Sequence, residues 1–488
     1  MSARPDADSP RARARAPKLV QDLTQGPIGP ALLAFALPTL IASILESLSG
    51  TINSIWVGRA LGEDALAATI NGNMIYFLMI ALVFGVGMSV TILIGHAVGR
   101  RDLDGARRVI GTATTAFMVI AAIVSVLGWF TAPLLLSLLG TPAGASDLAL
   151  IYLRGIFLGM PGGLLFILII MGLRGAGDSL SPLWFTFLCV VLDSGLNPVL
   201  ILGLGPFPRM GIEGSALAWA IAQYASLGAI LLWVYWRDLP IRLRRAELRY
   251  LRPDLKLIGV IIGKGLPMGL QLIIWMVSAM SVLSLVNHEG VLTTAAYGVA
   301  QQLWTYIQLP AVAMAAGVST MTAQAIGAGK WHRIPEIAWV GVLWSVVPTA
   351  GLILLLLGLD EPVIALFLGN ASLALPVAQH IVWVATWGLL FMAVSSVLFG
   401  ILRANGIVFL PLVIIVIAMF PLRLGLAFGG YSWLGSDALW LSLPAGMIAT
   451  CVMSMMLFRH EQRRGVPSTQ VDPIETSSSP ADPATLSV

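Results

Sequence analysis

The chain has 488 residues, of which 58% are apolar and only 11% charged, against about 25% charged in a soluble globular protein. With a mean hydropathy of +0.89 there is too little polar surface to cover water-soluble domains, so length is counted in membrane-crossing helices of about 20 residues each. The formal charge of +4 acquires meaning only when the basic residues are placed on the loops.

Twelve apolar runs follow one another: 31–57, 69–96, 109–138, 149–173, 183–204, 212–236, 257–286, 293–326, 337–358, 375–402, 407–430 and 435–458. The expected fold is an all-α integral membrane protein. Its twelve transmembrane helices form two six-helix parallel repeats around a central cleft. Residues 1–30 form a basic tail, 31–236 an N-terminal lobe, 237–256 a basic connector, 257–458 a C-terminal lobe, and 459–488 a tail whose Ser, Thr, Pro and Asp content predicts disorder. The first run opens on Leu37-Pro38 and the seventh on Leu266-Pro267. A proline in the first turn of a helix sacrifices only an amide that has no partner there.

Lys and Arg collect on alternate breaks. One side holds Arg4, Arg11, Arg13, Arg15 and Lys18, then Arg100, Arg101, Arg107 and Arg108, the stretch from Arg237 to Lys256, and also Arg174, Lys330, Arg333, Arg403, Arg459, Arg463 and Arg464. The other side holds Arg59, Arg209 and little else. The positive-inside rule therefore puts both termini in the cytoplasm. The first run is too long for a signal-peptide core and is expected to stay as a span. Cys189 and Cys451 lie inside apolar runs, which argues against a disulfide or a metal site.

The chain repeats itself. Leu173, Arg174, Gly177 and Pro182 recur as Leu402, Arg403, Gly406 and Pro411, each 229 positions later, and Leu37-Pro38 recurs as Leu266-Pro267 at the same offset. Gly87-Met-Ser89 with Gly99-Arg100 recurs as Gly317-Val-Ser319 with Gly329-Lys330 at an offset of 230. A period of six spans makes the copies parallel, related by an axis along the membrane normal, as in secondary transporters that expose one central site to each side in turn.

Ionisable groups at membrane depth cost about 2.5 kcal/mol or more and so point to function. In the N-terminal lobe these are Glu46 in the first run, with Asn53 seven residues on along the same face, and Asp193 in the fifth, with Asn197 one turn away. A carboxylate beside an amide binds a proton or helps to ligate sodium, and Pro198 frees a carbonyl nearby. Asp193 and Glu46 are expected to face a polar cavity, with Asp193 as the coupling carboxylate. Arg423 in the eleventh run pairs with a carboxylate across the cleft, belongs to a substrate site, or snorkels to the outer interface. Gln271, Trp275 and Met276 in the seventh run, with Gln301, Trp304 and Tyr306 in the eighth, supply rings and amides that suit aromatic cations. Met74, Tyr76, Met79 and Met280 add adaptable contacts.

In its particulars the sequence resembles the multidrug and toxic compound extrusion (MATE) family from about residue 28 to 460. The resemblance is carried by Leu37-Pro38, by Ile55-Trp56-Val57-Gly58-Arg59-Ala60-Leu61-Gly62 with Ala65-Leu66-Ala67-Ala68, by Gly95 to Arg100, by Arg174-Gly175-Ala176-Gly177-Asp178 before Pro182, by Gly211-Ile212-Glu213-Gly214-Ser215-Ala216 and by Gly265-Leu266-Pro267. It implies efflux of bulky, often cationic and aromatic compounds by antiport against protons or sodium, from a multi-pass protein of a bacterial cytoplasmic (inner) membrane. Where the family commonly carries an acidic residue before the Val-Gly stretch, this chain has Asn53. The family's Asn-to-Asp order before the fifth-span proline is reversed in Asp193 and Asn197, and Trp275 stands where some members have an acid.

No phosphate-binding loop, His-Glu-x-x-His helix or Cys/His cluster occurs, so the reading is a transporter and not an enzyme. No cofactor, resident metal or nucleic-acid partner is expected. The partners are small organic substrates, a proton or less favourably a sodium ion, and membrane lipid around a monomer. Separate carboxylates suit a proton better than the several oxygens a metal ion wants. The alternative is a lipid-linked oligosaccharide flippase of similar two-lobe plan, which would be expected to line its cleft with more Arg and Lys.

Overall fold

A computed structural model describes residues 22–464 apart from 139, 142 and 370. The basic residues before position 22 and the tail after 464 therefore lie outside the described residues. In lipid every backbone polar group must be satisfied within the chain, and the apolar runs do this as long helices. The first six are α1 (Ile28–Leu61), α2 (Glu63–Gly99), α3 (Leu103–Leu138), α4 (Ala143–Gly175), α5 (Leu180–Leu202) and α6 (Ile212–Trp236). After a short 3₁₀ turn (Arg245–Leu251) come α7 (Leu255–His288), α8 (Val291–Gly327), α9 (Ile334–Gly358) and the short α10 (Asp360–Leu368). Then follow α11 (Leu375–Ala385), α12 (Gly388–Ala404), α13 (Phe409–Ile417), a π-helical segment (Ala418–Leu424), α14 (Gly425–Gly429), α15 (Tyr431–Leu434) and α16 (Asp437–Arg464).

Among the described residues eleven helices are long and apolar enough to cross a membrane, and α11 with α12, bent by 45°, completes a twelfth. Two expectations need correction. The tenth run is not one straight helix but breaks at Thr386 and Trp387. Pro38 and Pro267 do not open their helices, since α1 and α7 begin well before them. Both helices have 34 residues, about 51 Å at 1.5 Å per residue, and so extend past a hydrocarbon core of about 30 Å.

Helices α1 to α6 pack together around α2, α4 and α6, and α8, α12 and α16 take the matching places in the second lobe. Where the lobes meet, α2 lies against α7 and α8, and α1 against α8. The approach is backbone to backbone. A Cβ at Gly85 would stand 2.1 Å from the Gly269 nitrogen, and one at Gly99 would stand 2.2 Å from the Gln324 carbonyl oxygen, so only glycine fits either place.

The hydrogen bonds that cross this seam cluster at one end. Ser89 donates to the Ile261 carbonyl (2.9 Å), His96 Nε2 meets the Ala404 carbonyl (2.9 Å), and Gln324 donates to the Gly175 carbonyl (3.2 Å). That end carries Arg100, Lys330 and Arg403. Among the described residues, no hydrogen bond joins the lobes at the opposite end, where Arg59, Arg209 and Glu289 lie.

The connector is itself packed. Its 3₁₀ turn lies along α3, with ion pairs from Arg107 to Glu247 (2.8 Å) and from Arg108 to Asp254 (2.6 Å) and a bond from Thr115 to the Leu251 carbonyl (2.6 Å). Asp254 also caps α7, accepting from the backbone amides of Lys256 and Leu257. Partial burial pushes its carboxyl up, but the Arg108 bond and the two amides outweigh this and hold it below the usual carboxylate range.

Candidate functional site

The acidic residues gather inside the N-terminal lobe. On α1, Glu46, Ser49, Gly50 and Asn53 lie on one face at helical spacing and are exposed or half-buried. On α5, Asp193 is 8% exposed and Asn197 only 1%. Ser49 donates to Asp193 Oδ2 at 3.0 Å, and the Asn197 amide donates to Asp193 Oδ1 at 3.3 Å. Asn197 Oδ1 and Ser194 Oγ are buried with no hydrogen-bond partner. The carboxylate thus has two donors, and an uncommitted amide oxygen sits on the same helix turn.

Glu46 is exposed on α1, yet it interacts electrostatically with Arg174 of α4 and Tyr76 of α2. Both partners stand on helices of the same lobe, so the exposed side of Glu46 looks inward toward α2 and α4, into the hollow between them and α1. Around the same hollow Tyr152 donates to Asn73 (3.1 Å) and Ser215 to Asn53 (2.9 Å), while Tyr76 packs edge-on against Trp219 with ring centres 5.3 Å apart.

Asn53 therefore shares the α1 face of Glu46, as the spacing predicts, but its hydrogen bond is to α6. Ser49, Asn73 and Tyr152 were not singled out in the sequence, and Ser215 was named only within the family-like motif from Gly211 to Ala216. The available signal was hydroxyl and amide groups recurring in otherwise apolar runs. Arg174, read as part of a basic break, stands in the last turn of α4 and is half-buried.

The C-terminal candidates divide. Trp275 and Met276 on α7, with Gln301 and Tyr306 on α8, are half-buried. Gln301 donates to the Tyr297 hydroxyl (3.3 Å), and Tyr306 accepts from Gln302 (3.2 Å). Gln271 is 2% exposed and its amide is fully engaged, donating to the Val408 carbonyl (3.3 Å) and accepting from Arg403 (2.5 Å). Trp304 is core, donating to Thr386 at 2.9 Å. Arg423 does not snorkel. It is 3% exposed within the π-helical segment and donates to Ser278 of α7 at 3.3 Å.

Two parallel six-helix lobes, sealed against each other at one end and carrying a polar hollow within one lobe, have the build of a secondary transporter. A family model described as MatE matches residues 38–199 and 267–428, two segments that begin 229 positions apart like the internal repeat. The chain belongs to the MatE family of multidrug and toxic compound extrusion transporters. It is 30% identical over 439 residues to the probable multidrug resistance protein YoeA of Bacillus subtilis, covering 90% of this chain and 95% of that one. It is 28% identical over 353 residues to the FAD transporter of Shewanella oneidensis, covering 71% and 75%. Its fold matches that of a multidrug resistance MATE family transporter of the MOP superfamily in an outward-facing conformation, with a TM-score of 0.84, 20% identity, and 92% and 99% of the two chains covered.

Proposed function

We propose that this protein is an antiporter that exports bulky amphipathic or cationic organic compounds by alternating access, driven by inward flow of protons, with sodium the less favoured ion. The observation that carries this reading is Asp193, nearly buried, held by Ser49 and Asn197, and next to the hollow that Glu46 enters. Neutralising such a carboxylate removes the reason for water to accompany it, and α1 and α5 then pack differently. The seam closed at the basic end supplies the second element, a junction that must open if cargo is to enter from that side. Asn53 belongs with the ion site through Ser215, while Trp275, Met276, Gln301 and Tyr306 are the cleft residues offered to cargo. Gln271 and Trp304 are not carried into that set, because their polar atoms serve packing of the lobe.

The protein is a monomer of the bacterial inner membrane in this reading, with the basic end and both termini in the cytoplasm. The cleft then faces outward in the arrangement described. One proton moving down 100 mV supplies about 2.3 kcal/mol, enough to concentrate a neutral cargo about 50-fold at 1.36 kcal/mol per tenfold.

The test is dye uptake into everted membrane vesicles under an imposed pH gradient or an imposed sodium gradient. Wild type is expected to concentrate dye under the pH gradient. Asp193→Asn, shown to be folded by its elution and melting profiles, is expected to equilibrate dye without concentrating it. Concentration by Asp193→Asn at the wild-type rate removes Asp193 from the coupling role.

A further inference from the structure

In the C-terminal lobe, the residue matching Ser49 at the 229 offset is Ser278, and the residue matching Ser194, next to Asp193, is Arg423. The two lobes therefore place opposite charges at nearly equivalent points, each against a serine from the first helix of its lobe. Asp193 has donors to match its charge. Arg423 has no counter-charge: among the described residues the ion pairs all lie elsewhere, and no carboxylate pairs with its guanidinium.

Its hydrogen-bond donors are poorly used. Nη1 reaches Ser278 Oγ at 3.3 Å and makes only a long contact, 3.9 Å, to the Met419 sulfur. The Tyr297 hydroxyl lies close enough for its charge and that of the guanidinium to influence each other. Nε is buried without a partner. The Tyr297 hydroxyl accepts from Gln301 and donates no hydrogen bond among the described residues, so its own proton remains free to be donated. A buried cation, an unused guanidinium N–H and an unused hydroxyl proton converge where α7, α8 and the π-helical segment meet. Single π turns inside helices are frequent at functional sites, and a buried charge without a partner is strongly unfavourable.

We propose that Arg423, Tyr297 and Ser278 form a binding site for a small monovalent anion, either a chloride-sized inorganic ion or a carboxylate group. Burial of Arg423 limits the anionic group that reaches it, whether a free ion or the end of a larger molecule, to something of that size. The unused donors are the ones an anion accepts from, through short charge-assisted bonds. The anion comes either free from solution or as the acidic group of a cargo molecule, and only the cargo source rests on the efflux reading above.

Thermal unfolding of the purified full-length protein at equal ionic strength, in sodium chloride, sodium acetate or the bulky sulfonate sodium MES, tests the free source. The expected result is a saturable rise of about 2 °C in chloride or acetate over MES. Arg423→Gln abolishes the rise, Arg423→Lys retains part of it, and Tyr297→Phe, which keeps the charge, weakens the apparent affinity about tenfold. The cargo source is read from a matched dye pair, rhodamine 110 with its free carboxylate and rhodamine 123, its methyl ester. If the acidic group of the cargo is the anion, wild type binds the acid at least about tenfold tighter than the ester, and Arg423→Gln brings the ratio to about one.

The proposal is overturned if wild type responds to neither anion and does not discriminate acid from ester. It is also overturned if Arg423→Gln keeps either response. Vesicles that concentrate rhodamine 123 while both responses are absent eliminate the anion site and keep the efflux reading. Vesicles that concentrate neither dye while chloride stabilises the protein do the reverse.

Discussion

A single methyl group at Gly85 is expected to force the two lobes apart at their basic end. Built on the present backbone, that Cβ would lie 2.1 Å from the Gly269 nitrogen and 2.5 Å from both the Gly265 oxygen and the Gly269 Cα. Non-bonded heavy atoms settle at about 3.5–4.0 Å, so α2 and α7 must separate by roughly 1.4–1.9 Å at this level to relieve the closest contact. The obstructing atoms are backbone, which cannot rotate out of the way as a side chain does. Overpacking of this kind costs about 1–3 kcal/mol, which at 1.36 kcal/mol per tenfold is a shift of about 5- to 160-fold against the sealed arrangement. An arrangement with the seam open does not bear that penalty.

Spin labels on Arg101→Cys and His332→Cys, two exposed positions flanking the seam, report the change in a background with Cys189 and Cys451 replaced by serine. Gly85→Ala is expected to move the inter-label distance distribution to longer values. Folded Gly85→Ala protein with the wild-type distribution refutes the reasoning, because the seam would then be neither tight nor the surface that parts.

Other perturbations separate the chemistry of the hollow from the packing around it. Ser49→Ala removes a hydrogen bond to a charged group and is expected to lower stability by about 1.5–3 kcal/mol, while in an Asp193→Asn background the same change costs less, a coupling measured by melting the four proteins of the cycle. Trp304→Phe leaves the Thr386 hydroxyl without its donor, for a loss of about 1–3 kcal/mol. Its dye affinity by fluorescence titration is expected to stay at wild type, and a large fall would return Trp304 to the cargo site. Asp254→Ala removes the cap of α7 and the partner of Arg108 and is expected to cost about 0.5–2 kcal/mol at neutral pH. Because native interactions hold the Asp254 carboxyl below its usual range, its contribution is complete above an ordinary value of about 3.9. That contribution is lost as pH falls through the lower native value. Melting curves of wild type and variant should therefore converge in acid and differ at neutral pH.

Much of the plan was legible in the chain itself. Apolar run length alone locates the spans, because a helix is the only way for one segment to satisfy its own backbone in lipid. Leu-Arg-x-x-Gly and its copy 229 positions later dictate two parallel lobes before any contact is known. Asp193 and Asn197 were found because a carboxylate and an amide one helical turn apart must share a face.

What spacing cannot supply is the partner across helices. Ser49 is ordinary in sequence, and it matters because the packing of α1 on α5 brings it within 3.0 Å of Asp193. Gln271 and Trp304 look like cleft residues by type, yet the packing of α7 and α8 against α11, α12 and α13 assigns their polar atoms to Arg403, Val408 and Thr386. The break in the tenth run and the π-helical segment that turns Arg423 inward are likewise settled between helices. Periodicity along one helix fixes which residues share a face, but which face meets another helix, and at what depth, depends on atoms hundreds of positions away.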